Sequence, residues 1–233
     1  MRGLAIAASV IVCSTVMLAA DSAQKILGEA TNVFSEIMAT PDKGIPQDLL
    51  AKAECVVIVP GLKKAAFVVG GEYGRGFATC RAASRGWGPP AAVRIEGGSL
   101  GLQIGGSSTD LVMLVMNKNG MDKLLSDKFT LGADASVAAG PVGRSATADT
   151  DIKMSAEILA WSRAKGLFAG LSLKGATLRN DLDQNAELYG RKMTNKEVIM
   201  SDMKAPAAAQ PLLSVLDKYS MRKEGSNADR TAK

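Results

Sequence analysis

One segment in the C-terminal half constrains the fold more than any other part of this chain. Residues 166–173 alternate small and large apolar residues around glycine, in the order Gly-Leu-Phe-Ala-Gly-Leu-Ser-Leu. Such alternation is typical of a β-strand that its neighbours approach closely, because glycine leaves room where a side chain would collide. The segment carries neither paired carboxylates nor metal ligands, so it indicates a packed sheet rather than an enzyme site.

Composition narrows the class of protein. The 233 residues suffice for one core of good size, and 47% hydrophobic with 22% charged residues indicates a globular chain. There is no histidine, which excludes Ser-His-Asp and Cys-His catalysis and any histidine-ligated metal. Carboxylate chemistry is not excluded by this absence, but the segment 166–173 points away from an enzyme. We expect no enzyme activity, no catalytic residues, no metal and no cofactor.

The N-terminus has the pattern of a secretory signal peptide. After Arg2, residues 3–20 are apolar and uncharged, and Ala19 and Ala20 precede Asp21. We predict cleavage after Ala20 and an exported protein, in the periplasm or peripheral to the envelope membrane. An uncleaved anchor helix and lipoprotein processing at Cys13 are the alternatives.

Export bears on the two cysteines outside the leader. Cys55 opens one predicted strand and Cys80 closes the next. Cysteines in an oxidising compartment are usually paired, so we predict a disulfide that staples a hairpin-like unit; two buried thiols are the alternative. The net charge of +5 suits anionic lipid or nucleic acid, and export removes nucleic acid as a usual partner.

The order of predicted elements is helix, many strands, then helices. This order favours an α+β fold with flanking helices and a strongly bent, largely antiparallel β-sheet. A sheet bent far enough to close on itself would be barrel-like. We predict one domain over residues 21–203 with an N-terminal helix, a linker and C-terminal helix over 204–223, and a disordered tail over 224–233. The predicted helices cover 22–39, 47–53, 121–127, 183–189, 195–200 and 211–221. The predicted strands cover 54–60, 65–71 with 73–81, 91–105, 110–116, 147–161 and 166–173, with 61–64 as a connection.

Two patterns that resemble enzyme sites have simpler interpretations. The glycine-rich segment 70–76 is not followed by a helix, so a bent strand is favoured over a phosphate loop. The acids Asp134, Asp149, Asp151 and Glu157 are not spaced to share a site with a nucleophile. Surface roles are favoured for them, with a calcium site at Asp149 and Asp151 or a hydrolase as alternatives.

Basic residues border several predicted strands. They are Lys63, Lys64, Arg75, Arg163, Lys165 and Lys174. If those strand ends converge, the residues form a cationic rim beside apolar surface, which would suit a phospholipid headgroup; ordinary solvated charge is the alternative. The helix 22–39 places Glu29 and Glu36 on its polar side, so packing on the sheet is favoured over membrane insertion.

Several segments together resemble the SYLF family of lipid-binding proteins. The matching residues are 56–60, 64–71 with Tyr73 and Gly74, 97–105, 109–112, 117–120, 129–144, 166–175 and Tyr189 with Gly190. The resemblance implies a non-enzymatic protein that binds phospholipid at an envelope membrane, with a phosphoinositide-type anionic lipid as one form of the ligand. Actin binding, known among eukaryotic members, is not expected in an exported chain. The alternative is a structural or protein-interaction module without a lipid ligand.

Overall fold

The computed structural model describes residues 22–40, 44–66, 69–82, 86–100, 105–141, 156–164, 167–168, 173 and 175–220. The predicted signal peptide, the tail and most of the segment 166–173 lie outside these residues. The predicted strand 147–161 can be compared with the structure only from residue 156 onwards.

Six α-helices lie in the described part of the chain. They are α1 (Ala23–Met38), α2 (Gln47–Lys52), α3 (Lys118–Leu124), α4 (Leu182–Tyr189), α5 (Asn195–Ile199) and α6 (Gln210–Tyr219). All six were predicted from the sequence. The start of α3 was placed three residues late, because the Asn117 side chain accepts a hydrogen bond from the Gly120 amide and so caps an earlier first turn.

In the described residues, ten strands form one sheet. They are β1 (Cys55–Ala66), β2 (Val69–Ala82), β3 (Gly86–Trp87), β4 (Ala91–Leu100), β5 (Gly105–Val115), β6 (Lys128–Thr130), β7 (Val137–Ala139), β8 (Ile158–Ala164), β9 (Leu167–Phe168) and β10 (Thr177–Asn180). The main path runs β6-β10-β4-β2-β1-β5-β8-β7, with β3 beside β2 and β9 beside β8. Every pairing is antiparallel except β7 with β8. The predicted α+β class with a bent, largely antiparallel sheet is confirmed.

The chain connectivity forces the sheet to curl. The edge strands β6 and β7 are joined by only six residues, 131–136. An eight-stranded flat sheet would be roughly 34 Å wide, whereas the link between Thr130 and Val137 can reach at most roughly 24 Å. The edges must therefore approach each other, and a bridge between Leu131 and Ala135 lies in the gap.

The concave face of the sheet holds one closed hydrophobic core. Its members come from both edges and the centre of the sheet and include Val57, Leu62, Ile95, Met113 and Phe129, with α3 contributing Leu124. These side chains are almost entirely removed from water. The concave space is thus filled by the protein's own residues.

The convex face of the sheet packs against helices. Its outward residues, among them Ile58, Phe77 and Val112, form a second core with α1, α2 and α6. Helix α6 packs against α1 in this core, and the Phe34 and Tyr219 rings meet edge to face with centroids 6.4 Å apart. The prediction that the first helix packs on the sheet is confirmed.

Several parts of the strand prediction were wrong. The predicted strand 91–105 is divided, since β4 ends at Leu100 and β5 begins at Gly105, and the predicted strand 65–71 includes both the end of β1 at Ala66 and the start of β2 at Val69. Strand β1 does not end at Pro60 but continues through the predicted connection 61–64 to Ala66. A bulge absorbs the proline, since the pairing register shifts between Val59 and Leu62. Strands β3, β6, β7 and β10 were not predicted, because segments of two to four residues give little periodic signal.

Candidate functional site

Three pairs of consecutive strands are joined at one end of the sheet. Strands β1 and β2 meet beyond the pair Ala66–Gly70, and β4 and β5 meet beyond Leu100 and Gly105. Because β8 is antiparallel to β5, its connection to β9 lies toward the same end. We call this end of the sheet the hairpin end.

The structure brings three of the predicted basic residues toward the hairpin end. Lys63 and Lys64 lie near the end of β1 and Arg163 lies near the end of β8. Arg75 lies further from the end, on β2. Lys165 and Lys174 lie outside the described residues. Among these four described positions, only Lys63 is exposed.

Lys64 and Arg163 form ion pairs. The Lys64 ammonium lies 2.6 Å from the Glu72 carboxylate. The Arg163 guanidinium donates to Glu36 of α1 at 2.6 Å and to Asp110 of β5 at 3.2 Å. Burial lowers the pKa of Arg163, but these hydrogen bonds outweigh it and hold the pKa above its ordinary value. Arg163 therefore ties α1 to the sheet.

Arg75 has a structural partner. Its Nε lies 3.0 Å from the Asp181 carboxylate, which is completely buried. Asp181 also caps α4, since its side chain accepts a hydrogen bond from the Gln184 amide. Arg75 therefore joins β2 to the start of α4, and its charge is largely committed inside the fold.

The strand register reveals four cations that lie side by side on the convex face. Arg75 pairs with Arg94, Arg94 pairs with Arg179, and Arg179 pairs with Lys128, across β2, β4, β10 and β6. Directly opposed residues on neighbouring strands share one face, and like charges in that position are destabilising. We call these four residues the basic row. The sequence alone did not single out Arg94, Arg179 or Lys128, because only the register places them together.

Two carboxylates form ion pairs with cations of the basic row. Asp181 pairs with Arg75, and Glu96 lies 2.8 Å from Arg94 Nε and 2.9 Å from Arg179 Nη1. In the described part of the chain, no carboxylate forms an ion pair with Lys128. The row therefore keeps a surplus of positive charge at its Lys128 end.

A cleft of about 510 Å³ opens beside that end of the row. It is lined by charged and hydroxyl side chains and by glycine backbone; the residues are Glu72, Glu96, Gly97, Gly98, Lys128, Phe129, Thr130, Asp134, Gly175, Thr177 and Arg179. The Thr130 amide donates to the Asp134 carboxylate at 2.7 Å. Hydrogen bonds from the backbone and side chain of Thr130 lower the pKa of Asp134.

Exposed apolar side chains also lie near the hairpin end. Tyr73, which pairs directly with Lys63 across β1 and β2, is 44% exposed, and Leu167 of β9 is 68% exposed. The Arg75 guanidinium lies 5.9 Å from the centre of the Tyr73 ring. The hairpin end thus combines an exposed lysine, an aromatic ring and an aliphatic side chain.

Of the other candidate acids, Glu157 lies in the described residues and has an ordinary hydrogen-bond partner. Glu157 accepts a hydrogen bond from the Ser136 amide at 2.7 Å, while Asp149 and Asp151 lie outside the described residues. No cluster of three or more metal-ligating side chains occurs in the described ranges. The glycine-rich segment 70–76 belongs to β2, which confirms its interpretation as strand.

The structure joins Cys55 and Cys80 in a disulfide, as predicted. The two residues are direct partners across β1 and β2, and both are buried. The bond lies at the end of the β1–β2 ladder opposite the hairpin end.

Comparison with known proteins identifies the family. The Ysc84 family model, described as "Las17-binding protein actin regulator", matches residues 96–219, which is more than half of the chain. A Bos taurus protein named SH3 domain-containing YSC84-like protein 1 is 32% identical over 92% of this chain. LAS seventeen-binding protein 3 of Saccharomyces cerevisiae is 34% identical over 81% of it.

The chain belongs to the SYLF family. SYLF and Ysc84 are two names of one family. The match to the Ysc84 model therefore confirms the resemblance inferred from the sequence. This SYLF chain spans 63% of the length of the bovine relative and 42% of the yeast one. In its described residues, no helix is both long and apolar enough to cross a bilayer.

Proposed function

We propose that this SYLF protein is a non-enzymatic phospholipid-binding protein of the cell envelope whose hairpin end meets the membrane surface. The observation that carries the proposal is the pairing of exposed Lys63 with half-exposed Tyr73, with Leu167 exposed toward the same end. Aromatic rings and lysines of this kind are enriched where proteins meet the headgroup layer, since each has an apolar body and a polar tip.

The filled concave core favours surface contact over enclosure of a lipid. Side chains such as Leu62, Ile95 and Met113 occupy the space where an acyl chain would otherwise lie. The ligand in this proposal is therefore the anionic membrane surface. Lys63 would contact phosphate oxygens, and Tyr73 and Leu167 would contact the boundary with the acyl chains.

Export and an envelope location are part of the proposal and rest on the apolar leader over residues 3–20. The basic residues Lys64, Arg75 and Arg163 have a smaller part in it than the sequence suggested, because each is held by a carboxylate. They would contribute to the local potential rather than bind a headgroup directly.

Liposome flotation tests the proposal. The purified protein is expected to float with vesicles of phosphatidylglycerol and phosphatidylcholine and to float less with phosphatidylcholine alone. Lys63→Gln should weaken binding to the anionic vesicles about fivefold, since a lysine near such a surface is worth about 1 kcal/mol. The double variant with Tyr73→Ser should bind more weakly still.

The control removes an exposed lysine and an exposed, largely apolar side chain elsewhere on the protein. Lys118 is 86% exposed and Met200 is 63% exposed, so Lys118→Gln with Met200→Ser should leave flotation unchanged. Absence of flotation with every lipid would rule out lipid binding. Equal flotation with both vesicle types would remove the cationic part of the proposal.

A second candidate function is docking of a protein partner without lipid. It is favoured by the description of the family model as a Las17-binding actin regulator. Actin and Las17 themselves are not the partners that we propose for an exported chain. A protein that fails to float but is retained on envelope preparations after their lipids are extracted would favour this candidate.

A further inference from the structure

We propose that the cleft beside β6 and β10 binds a single phosphate group, with Lys128 and Arg179 as its cationic ligands. In taking a lipid headgroup as one source of that phosphate, the inference rests on the function proposed above. A free phosphate ester is the other source, and the site would recognise the same chemistry in both.

The short strands β6 and β10 bring the residues of the site together. Lys128 faces Arg179 directly across β6 and β10, and Thr130 faces Thr177 in the same register. Residues two apart on a strand share a face, so the two cations and the two threonines form one four-residue group. All four line the cleft.

The four side chains offer complementary contacts. Arg179 Nη1 donates a hydrogen bond to the Glu96 carboxylate at 2.9 Å. Since a guanidinium has five N–H donors in a planar fork, other donors are left for a phosphate. Lys128 provides a point charge on a flexible stem. The Thr177 hydroxyl is a further donor, whereas Thr130 is engaged with Asp134.

The ion pairs around the cleft leave Lys128 available to an anion. The carboxylates of the cleft are Glu72, Glu96 and Asp134. Glu72 is neutralised by Lys64, Glu96 is shared by Arg94 and Arg179, and Asp134 is held by Thr130. Lys64, Arg94 and Arg179 therefore pair with carboxylates, and Lys123 also helps to lower the pKa of Asp134. Lys128 is the cation of the lining that pairs with no carboxylate in the described residues, so its charge is the one that a bound phosphate would balance.

The size of the cleft fits a headgroup and not a whole lipid. Ligand pockets in proteins commonly have volumes of about 300–1,000 Å³, and the cleft measures about 510 Å³. Thr130 and Thr177 lie in the same crosswise row of the sheet as Lys63 and Tyr73, which are linked to them through Glu96. A headgroup in the cleft would therefore lie level with the proposed membrane contact.

The test uses the purified protein and two probes. Glycerol 3-phosphate, titrated by NMR chemical-shift perturbation, supplies a free phosphate ester, and phosphatidylglycerol vesicles supply the lipid form. Lys128→Gln should weaken binding of glycerol 3-phosphate about tenfold, because it removes a charge-assisted contact. Lys118→Gln, another exposed lysine, should have no effect. Arg179→Lys should weaken binding while the spectrum stays that of the folded protein.

The outcomes distinguish a failure of the proposed phosphate site from a failure of the proposed membrane binding. If glycerol 3-phosphate binds and Lys128→Gln weakens it, the site is supported, whether or not vesicles bind. If vesicles bind and depend on Lys63 but neither probe responds to Lys128→Gln, the site is overturned and the membrane function stands. If glycerol 3-phosphate binds equally to the Lys128→Gln and Lys118→Gln variants, the cleft is not the phosphate site.

Discussion

Replacing Asp181 with alanine is expected to lower the free energy of unfolding by about 4 kcal/mol. The Asp181 carboxylate is completely buried and lies 3.0 Å from Arg75 Nε, whose side chain is 23% exposed. Its removal leaves a mostly buried guanidinium without its counter-ion, and that charge cannot move freely into water. The start of α4 loses its cap at the same time, because the side chain accepts from the Gln184 amide.

Urea unfolding of matched variants measures this loss. Asp183→Ala is the control, because Asp183 lies in the first turn of the same helix and pairs with Lys192 on the surface. It should cost less than about 0.5 kcal/mol. Asp181→Asn should fall between the two, since an amide oxygen can still cap the helix. Equal midpoints for Asp181→Ala and Asp183→Ala would show that the buried pair is not important for stability.

Replacing Gly76 with alanine is expected to cost about 3 kcal/mol. A Cβ on Gly76 would lie 2.0 Å from the Ile58 carbonyl oxygen and 2.7 Å from Val59 Cα. These are backbone atoms of β1 beside its bulge, so no flexible side chain can turn away. Relief would require the central strands of the sheet to separate.

Gly71 on the same strand is the matched control. The nearest atom to a Cβ there is the Gly97 oxygen at 3.8 Å, so Gly71→Ala should change the unfolding midpoint little. Thermal and urea unfolding of the two variants give the comparison. A Gly76→Ala protein as stable as Gly71→Ala would mean that β1 and β2 are not as close as described.

Much of the fold could be predicted from the sequence because its signals are local. Apolar residues at helical spacing over 22–39 predicted α1, which spans Ala23–Met38. The apolar run 110–116 was predicted as a strand, and residues 111–115 of β5 are buried. The end of β1 was wrongly predicted at Pro60. A bulge can accommodate a proline within a strand, and no local sequence pattern indicates that a bulge is present.

The candidate site was less predictable because it depends on register. Lys63 was proposed from its place beside a strand, and it is exposed as that proposal requires. Lys128 and Arg179 are 51 residues apart in the sequence but are direct partners across β6 and β10. The pattern of residues within either segment cannot predict this pairing. Asp181 and Glu36, the partners of Arg75 and Arg163, are even more distant in the chain, so these ion pairs could not be predicted from the sequence.

The short link between β6 and β7 also bears on how the protein avoids aggregation. A long open sheet edge is a template on which another chain can add a strand. The described edge strands β6 and β7 contain three residues each, and the curl turns them toward each other across residues 131–136. Either edge offers only a few backbone groups to a neighbouring molecule, which disfavours edge-to-edge polymerisation of the native protein at high local concentration.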